Sequence, residues 1–394
     1  MKKIKVNKKS AQKIQKGYPL LVEQDFLGKI PADAMNELVE LTDESNQFLA
    51  TAYLSVQNKG IGWVLTRNKE KIDGSFYEKY FAQAKSLREI YYADELTNAF
   101  RLVNGEGDFL PGLTVDYYDG FAVFSWYNDF CLLNKELITS AFIKVFPEIQ
   151  GIYEKIRFKT ELADYESKHI YGKFAPEPLI IKENGVNYAT YMNEGLMTGI
   201  FLDQKNVRLK LVDGLSASKS LLNTFSYTGA FSVAAAFGGA AQTTSVDLAN
   251  RSIEKTKEQF AVNGLDLDAQ KIYTMDVFNY FSYAKKKGLA YDVIVLDPPS
   301  FARNKKKVFT VEKNYGELIE NSVDILEKKG LIIASTNSAN LSRKKFRQIV
   351  EEALEKKSVK FKISMEENLP ADFHTRAEFA EGDYLKVLFV EVKK

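Results

Sequence analysis

From Lys219 to its end the chain alternates short apolar runs with longer amphipathic ones, and this alternation restricts the fold more than any other feature. "SLLNTFS" reads as a strand and "TGAFSVAAAFGGA" as a small-residue helix closed by glycines. "TTSVDL" follows as a strand, then the helix "ANRSIEKTKEQFAVNG", which stops at Gly264. The series continues with strand "KIYTMDV", helix "FNYFSYAKKKG", strand "YDVIVLD", helix "EKNYGELIENSVDILEKKG", strand "LIIASTN" and helix "SRKKFRQIVEEALEKK". Two strands near "VKFKISM" and "YLKVLFVEV" finish it. Strands separated by helices of this length form βαβ units, hence a mostly parallel sheet covered on both faces. The expectation for residues 181–394 is an α/β, doubly wound domain.

The first half follows another pattern. Residues 1–72 hold short β-rich runs such as "ATAYLSV" and "GIGWVLT", broken by Gly, Pro and Asn, which predicts a small β-barrel-like module. Residues 73–180 mix the helix "SFYEKYFAQAKSLREIYY" with strands "AFRLVN", "LTVDYYDGFAVFSWYN" and "GIYEKIRF", a central α+β domain, and "GKFAPEPLIIKENG" reads as the linker into the last domain. No apolar run reaches the roughly 20 residues that cross a bilayer, and "MKKIKVNKKS" has no apolar core behind its charges. A cytoplasmic protein without membrane contact is expected. The net charge of +2 announces no partner, but basic clusters stand at Lys285 to Lys287, Arg303 to Lys307 and Arg343 to Arg347. One cysteine, Cys131, and two histidines, His169 and His374, exclude an internal disulfide and a Cys/His zinc site, so no metal is expected.

In an open parallel sheet, ligands bind where the strands end. The first strand runs into "NTFSYTGAF", where Thr228 and Gly229 open a helix; a small residue there lets a ligand approach the backbone, and the helix start offers N–H donors. This is not a G-x-G-x-x-G loop and would cradle a pyrophosphate poorly. The second strand ends in Asp247, about twenty residues beyond the first loop, where a carboxylate can accept from both hydroxyls of a ribose. The third ends in Asp276, facing an adenine edge or else capping the next helix. The fourth ends in "LDPPSF": Pro298 and Pro299 stiffen the turn and present the carbonyls around Asp297 and the ring of Phe301, suited to orienting and stacking a base. An adenosyl ligand with little phosphate and a base-stacking turn together point to methyl transfer from S-adenosylmethionine.

Several stretches in order, "NGEGDFLPGLTVD", "EGLMTGIFLDQKNVR", "LLNTFSYTGAFSVAAAFGGA", "SVDLANRSIEKTKEQFAVNGL", "DVIVLDPPSFARNKK" and "EGDYLKVLF", make the chain resemble the class I S-adenosylmethionine-dependent methyltransferases of large-subunit (23S) ribosomal RNA. That family joins an N-terminal PUA domain, a central α/β domain and a Rossmann-like catalytic domain. The resemblance implies that Asp247 holds the cofactor ribose and Asp276 lies at the adenine. It implies further that Asn223, Phe225, Tyr227, Thr228 and Gly229 line the cofactor loop, and that Asp203, Gln204, Arg208 and Asp297 lie against the cofactor. Asp297, Pro298, Pro299 and Phe301 would stand at the acceptor base, with Arg303, Lys305, Lys306 and Lys307 on RNA phosphates. The chain could also pair as a homodimer.

Two departures shape the reading. "GYPLLVEQDF" stands where the family's PUA domains have a Pro-Trp pair. Relatives that methylate C5 of cytosine need a thiolate to add at C6, and the corresponding position in "LIIASTNSANLS" is Asn337. Cys131 stands far from every strand end of the last domain and reads as a buried structural thiol. Direct transfer to a heteroatom such as guanine N7 is therefore expected, and "DPPSF" also resembles the turn of guanine-N7 relatives. Cytosine C5 methylation, a small-molecule methyltransferase, a nicotinamide oxidoreductase and a non-catalytic RNA-binding protein are the competing readings. His374, in "ADFHTRAEF", is either a group that approaches the site or an exposed loop histidine.

Overall fold

The computed structural model describes residues 1–57, 60–303 and 308–394. The chain divides into two compact units. The first comprises 1–179 together with the short returns 191–198 and 371–382; the second comprises 180–190, 199–370 and 383–394.

The first unit opens with a five-stranded sheet in which Glu37–Thr42, Phe48–Gln57 and Gly60–Thr66 run as an antiparallel meander. Lys2–Lys5 flanks it on one edge and Leu20–Leu21 on the other. One face closes on the helix Lys8–Gln15, started by the Asn7 side chain, which accepts from the Ser10 N–H at 2.9 Å. A second five-stranded sheet follows, and its hairpin between Leu113–Tyr118 and Phe121–Trp126 turns on Asp119-Gly120, both at positive φ as a tight hairpin requires. The expected helix over "SFYEKYFAQAKSLREIYY" divides into Gly74–Leu87 and Glu89–Tyr92. Arg88 stands between them with φ −108° and ψ 9°, its guanidinium turned inward, fully buried, in a two-toothed pair with Asp108 at 2.6 and 2.7 Å. His374 belongs to this unit, its Nδ1 lying 3.3 Å from Asp108 Oδ1.

The segment read as a linker is partly a strand. Leu179–Glu183 pairs with Val186–Thr190 across Asn184-Gly185, again both at positive φ.

The second unit carries a seven-stranded sheet. Its elements are β1 (Ser220–Thr224), α1 (Ala230–Phe237), β2 (Gln242–Asp247), α2 (Ser252–Ala261), β3 (Gln270–Thr274), α3 (Val277–Lys287) and β4 (Tyr291–Leu296). They continue as α4 (Val311–Asp324), β5 (Leu326–Thr336), α5 (Arg343–Lys356), β6 (Lys360–Glu367) and β7 (Lys386–Lys393). The strand order is β3-β2-β1-β4-β5-β7-β6, parallel from β3 to β5, with β7 antiparallel to both its neighbours. The chain thus winds one way from β1 to β3 and the other way from β4 onward, making the β1/β4 junction the switch point where such sheets open a crevice. Residues "LEKKG", read as the end of α4, already belong to β5: the helix stops at Asp324, and Leu326 pairs with Tyr291 of β4. Between β4 and α4 a small hairpin pairs Phe301–Arg303 with Val308–Thr310. Among the described residues no helix is long and apolar enough to cross a membrane.

Candidate active site

A cavity of about 910 Å³ opens over the carboxyl ends of β1 to β5. Its lining comes from the loop after each strand: Phe225 to Thr228 after β1, Asp247 from the end of β2, Met275 to Asn279 after β3, Asp297 to Pro299 after β4 and Asn337 after β5. The segment before β1 adds Ile200, Phe201, Asp203, Gln204 and Arg208. The volume matches the range of sites that hold a sizeable organic ligand.

The β1 loop is held in an unusual backbone. Phe225 and Tyr227 sit at φ +54° and +51° and Gly229 at +81°, so two aromatic residues occupy the left-handed region that side chains avoid. Backbone bonds fix them there: Ser226 N donates to Val246 O at 3.0 Å and Gly229 N to Ser226 O at 2.7 Å. Asp247 completes the brace, its two oxygens accepting from Tyr227 N and Ala249 N, each at 2.9 Å. Gly229 answers a different demand from the expected one. It does not line the cavity, and a Cβ there would lie 2.6 Å from Thr256 Cγ2 of α2, so φ and helix packing rather than ligand approach require glycine. Asn223 also lies outside the lining, buried in β1, where its amide donates to Ser232 Oγ at 3.1 Å and its Oδ1 has no protein partner. Asp276 lines the cavity and caps α3 as well, its Oδ1 accepting from Phe278 N and Asn279 N at 3.1 and 3.2 Å.

At the β4 end the partners are side chains. Asp297 accepts from Gln204 Nε2 at 3.1 Å, and the same Nε2 reaches Ser335 Oγ of β5 at 2.7 Å. Burial pushes the Asp297 carboxyl up to about 6; the nearby Asp203 adds to that, while Ser335, Arg208 and Gln204 oppose it. Gln204 is 3% exposed, and its Oε1 has no partner in the protein. Asp203 itself accepts from the Tyr384 hydroxyl at 2.9 Å. Arg208 borders the cavity, but its fork is taken: Nε and Nη2 hold Glu183 at 2.6 and 2.8 Å, and Nη2 also reaches Phe201 O at 2.7 Å. Behind the wall, the buried Tyr315 hydroxyl lies 3.0 Å from Leu296 O and 2.9 Å from Ser335 O, tying β4 to β5 where they part. Asn337 accepts from the Ser300 hydroxyl at 2.6 Å.

Phe301 is 62% exposed and outside the lining; the ring from this hairpin that lines the cavity is Phe309, packed near Phe225 and Phe278 at 6.3 and 6.4 Å. Arg303 pairs through its backbone with Val308, and Lys305, Lys306 and Lys307 lie outside the described residues. Two other basic clusters are partly neutralised: Lys285 pairs with Asp324, Arg343 with Asp383 and Arg347 with Glu351 and Glu366. Cys131 sits in the core of the first unit, where burial pushes its thiol up to about 12.

The donor set fits an adenosyl amino acid. Asp247 has a fixed carboxylate for a ribose, Met275, Phe278 and Phe309 offer an apolar slot for a planar base, and Asp203 and Gln204 Oε1 are acceptors suited to an ammonium group. No phosphate cradle is present among these residues.

Comparison with known proteins agrees. The family model for S-adenosylmethionine-dependent methyltransferases matches residues 158–388, and that for PUA-like domains matches residues 4–67. YwbD of Bacillus subtilis, named provisionally as a ribosomal RNA large subunit methyltransferase, is 47% identical over 100% of both chains. Ribosomal RNA large subunit methyltransferase I of Pseudoalteromonas translucida is 31% identical over 91% of each. The crystal structure of SMU.776 in complex with SAH superposes with a TM-score of 0.94 at 43% identity, covering 99% of this chain and 100% of the other. The chain therefore belongs to the S-adenosylmethionine-dependent methyltransferases, with a PUA-like domain at its N-terminal end and S-adenosylmethionine as its cofactor.

Proposed function

We propose that this enzyme methylates a base of large-subunit ribosomal RNA, and that the accepting atom is N7 of a guanine. The RNA class rests on the names of relatives similar over nine-tenths or more of the chain, and on the PUA-like domain. The atom rests on one observation: the position after β5 where a thiolate would add to a pyrimidine is Asn337, its Oδ1 bonded to Ser300. Without a nucleophile to raise the electron density at C5, the methyl must go to an atom that already carries a lone pair. Guanine N7 has one and bears no proton, so catalysis reduces to alignment and exclusion of water.

The cofactor supplies a methyl group on a positively charged sulfur; the guanine N7 lone pair forms the new N–C bond as the old C–S bond breaks, its electrons staying on sulfur. The chain's residues do the rest. Asp247 takes the ribose, Asp276 and the Met275–Phe278 slot the adenine, and Phe225, Tyr227 and Thr228 close the loop around them. Asp203 and Gln204 accept from the amino group, while Arg208 acts at one remove by fixing Phe201 and Glu183. Asp297, with the carbonyls at Pro298 and Pro299, orients the base through its N–H groups. Phe301, exposed at the rim, stacks a nucleotide, and Arg303 with Lys305, Lys306 and Lys307 holds phosphates.

The test is the product. Purified enzyme, labelled S-adenosylmethionine and unmodified large-subunit ribosomal RNA are incubated, and the nucleosides are separated by mass spectrometry. 7-Methylguanosine is expected. 5-Methylcytidine would overturn the reading, and a product methylated on a nitrogen that had carried a proton would recast Asp297 as the proton acceptor.

A further inference from the structure

We propose that Asn337 selects the purine, its side-chain N–H donating to the oxygen at position 6 of the target base so that guanine is accepted and adenine refused. This rests on the guanine reading above and adds to it a residue that discriminates.

Asn337 follows β5 at the mouth of the β4/β5 fork, lines the cavity and is exposed to it. Its amide has a defined orientation. Oδ1 accepts from the Ser300 hydroxyl at 2.6 Å, and Ser300 comes directly after Pro298-Pro299, whose rings restrict the backbone that carries it. A primary amide is planar, so engaging the oxygen also sets the plane in which its two N–H bonds diverge, one beside the oxygen and one directed away from it. The backbone around Asn337 is tied on both sides: Ser335 O lies 2.9 Å from the Tyr315 hydroxyl, Ser338 N donates to Thr336 Oγ1 at 3.2 Å, and Ser338 O accepts from Lys386 Nζ at 3.0 Å. The donor is thus held in place before any base arrives.

The same cavity is lined by the Asp297 carboxylate, an acceptor to which Gln204 Nε2 donates at 3.1 Å. A cavity that offers both a fixed donor and a fixed acceptor suits guanine, which presents an oxygen at position 6 and N–H groups beside it. Adenine presents an amine at position 6, so its donor meets a donor. A mismatch of this kind leaves both donors unpaired once the base covers the exposed amide, and the wrong base is disfavoured by that loss.

The experiment uses RNA ligated with 6-thioguanine at the methylated position, which keeps every N–H of guanine and replaces only the oxygen by a larger, weaker acceptor. The wild-type enzyme is expected to prefer guanine by roughly tenfold in kcat/KM, the loss of one well-made hydrogen bond. In Asn337→Asp, which keeps the shape and removes the donor, and in Asn337→Ala, the preference should fall to within about threefold by the same reasoning, with cofactor affinity by calorimetry unchanged. Ser300→Ala should relax it partly. If both Asn337 variants lose activity equally on the two RNAs, Asn337 only supports the turn and the inference is overturned. Product identity is read in the same assays: a product other than 7-methylguanosine sinks the guanine-N7 reading, whereas 7-methylguanosine with undiminished discrimination in the variants sinks this inference alone.

Discussion

Asp247 and Asp297 flank the first strand of the sheet, each at a strand end, yet they sit in opposite surroundings. Asp247, at the end of β2, is satisfied by two backbone N–H groups, one of them in the β1 loop that it braces. Asp297 has side-chain partners recruited from 93 residues away and from β5, and burial lifts its carboxyl to about 6. The cofactor end of the cavity is built by local backbone, the acceptor end by long-range side-chain packing. Local backbone makes a generic holder; convergent side chains make a specific one, and the chemistry of the acceptor is decided there.

The largest separation of the two ends should come from Asp297→Ala. Turnover should fall by about 100- to 1000-fold, the range for losing one group that stabilises the reacting arrangement, while affinity for the cofactor product changes only a few-fold. Joint loss of both, by single-turnover kinetics and calorimetry, would mean the two ends are not separable. The same carboxyl gives the comparison a pH signature. It is a strong, acceptor-only group when ionised, and with its titration raised to about 6 it becomes protonated as pH falls through that value, which weakens one acceptor and turns one oxygen into a donor. Activity, measured as kcat/KM, should therefore drop with a one-proton slope below about pH 6. A profile flat from pH 5 to 7 would remove Asp297 from that role.

Arg208 tests whether the cofactor end depends on contact or on support. Its pair with Glu183 is buried at both partners, so Arg208→Met leaves a carboxylate alone in the interior, which costs about 3–5 kcal/mol of stability. A thermal melt should show this loss. A variant with unaltered stability but weakened cofactor binding would instead put the guanidinium on the ligand. Asp247→Ala should weaken cofactor-product binding about 10- to 100-fold, the equivalent of one charge-assisted hydrogen bond, with the fold intact by circular dichroism. Unchanged affinity would count against the ribose role.

How far the two ends could be read in advance follows from the same contrast. The alternation of "SLLNTFS", "TTSVDL", "KIYTMDV" and "YDVIVLD" with helical stretches indicated the sheet, because strand-end position depends only on local pattern, and it brought Asp247, Asp276 and Asp297 to one rim. Side-chain direction in a hairpin was not legible. Phe301 and Phe309 lie on paired strands, and which ring faces the cavity depends on a register that no short motif specifies. Gly229 was read as room for a ligand, whereas Thr256, 27 positions later, is what a Cβ would strike. Ser335 and Tyr315 carried no signal of their own, since a serine in a strand and a tyrosine in a helix are ordinary until the fold sets them against Gln204 and the β4/β5 fork.

Tyr315 gives the finest test of that last point. At the carboxyl ends of β4 and β5, under the site, the Tyr315 hydroxyl lies within hydrogen-bond reach of both Leu296 O and Ser335 O. Tyr315→Phe keeps the buried ring, whose edge packs on Phe346 at 4.9 Å, and removes only the hydroxyl. The orphaned carbonyls should lower stability by about 1–3 kcal/mol. If the hydroxyl does no more than satisfy carbonyls, kcat and cofactor affinity will follow wild type below the melting range. If it also sets the spacing of Asp297 and Asn337, kcat will fall several-fold at unchanged KM for the cofactor, because the fork that widens lies under the acceptor end and not under the β1 loop.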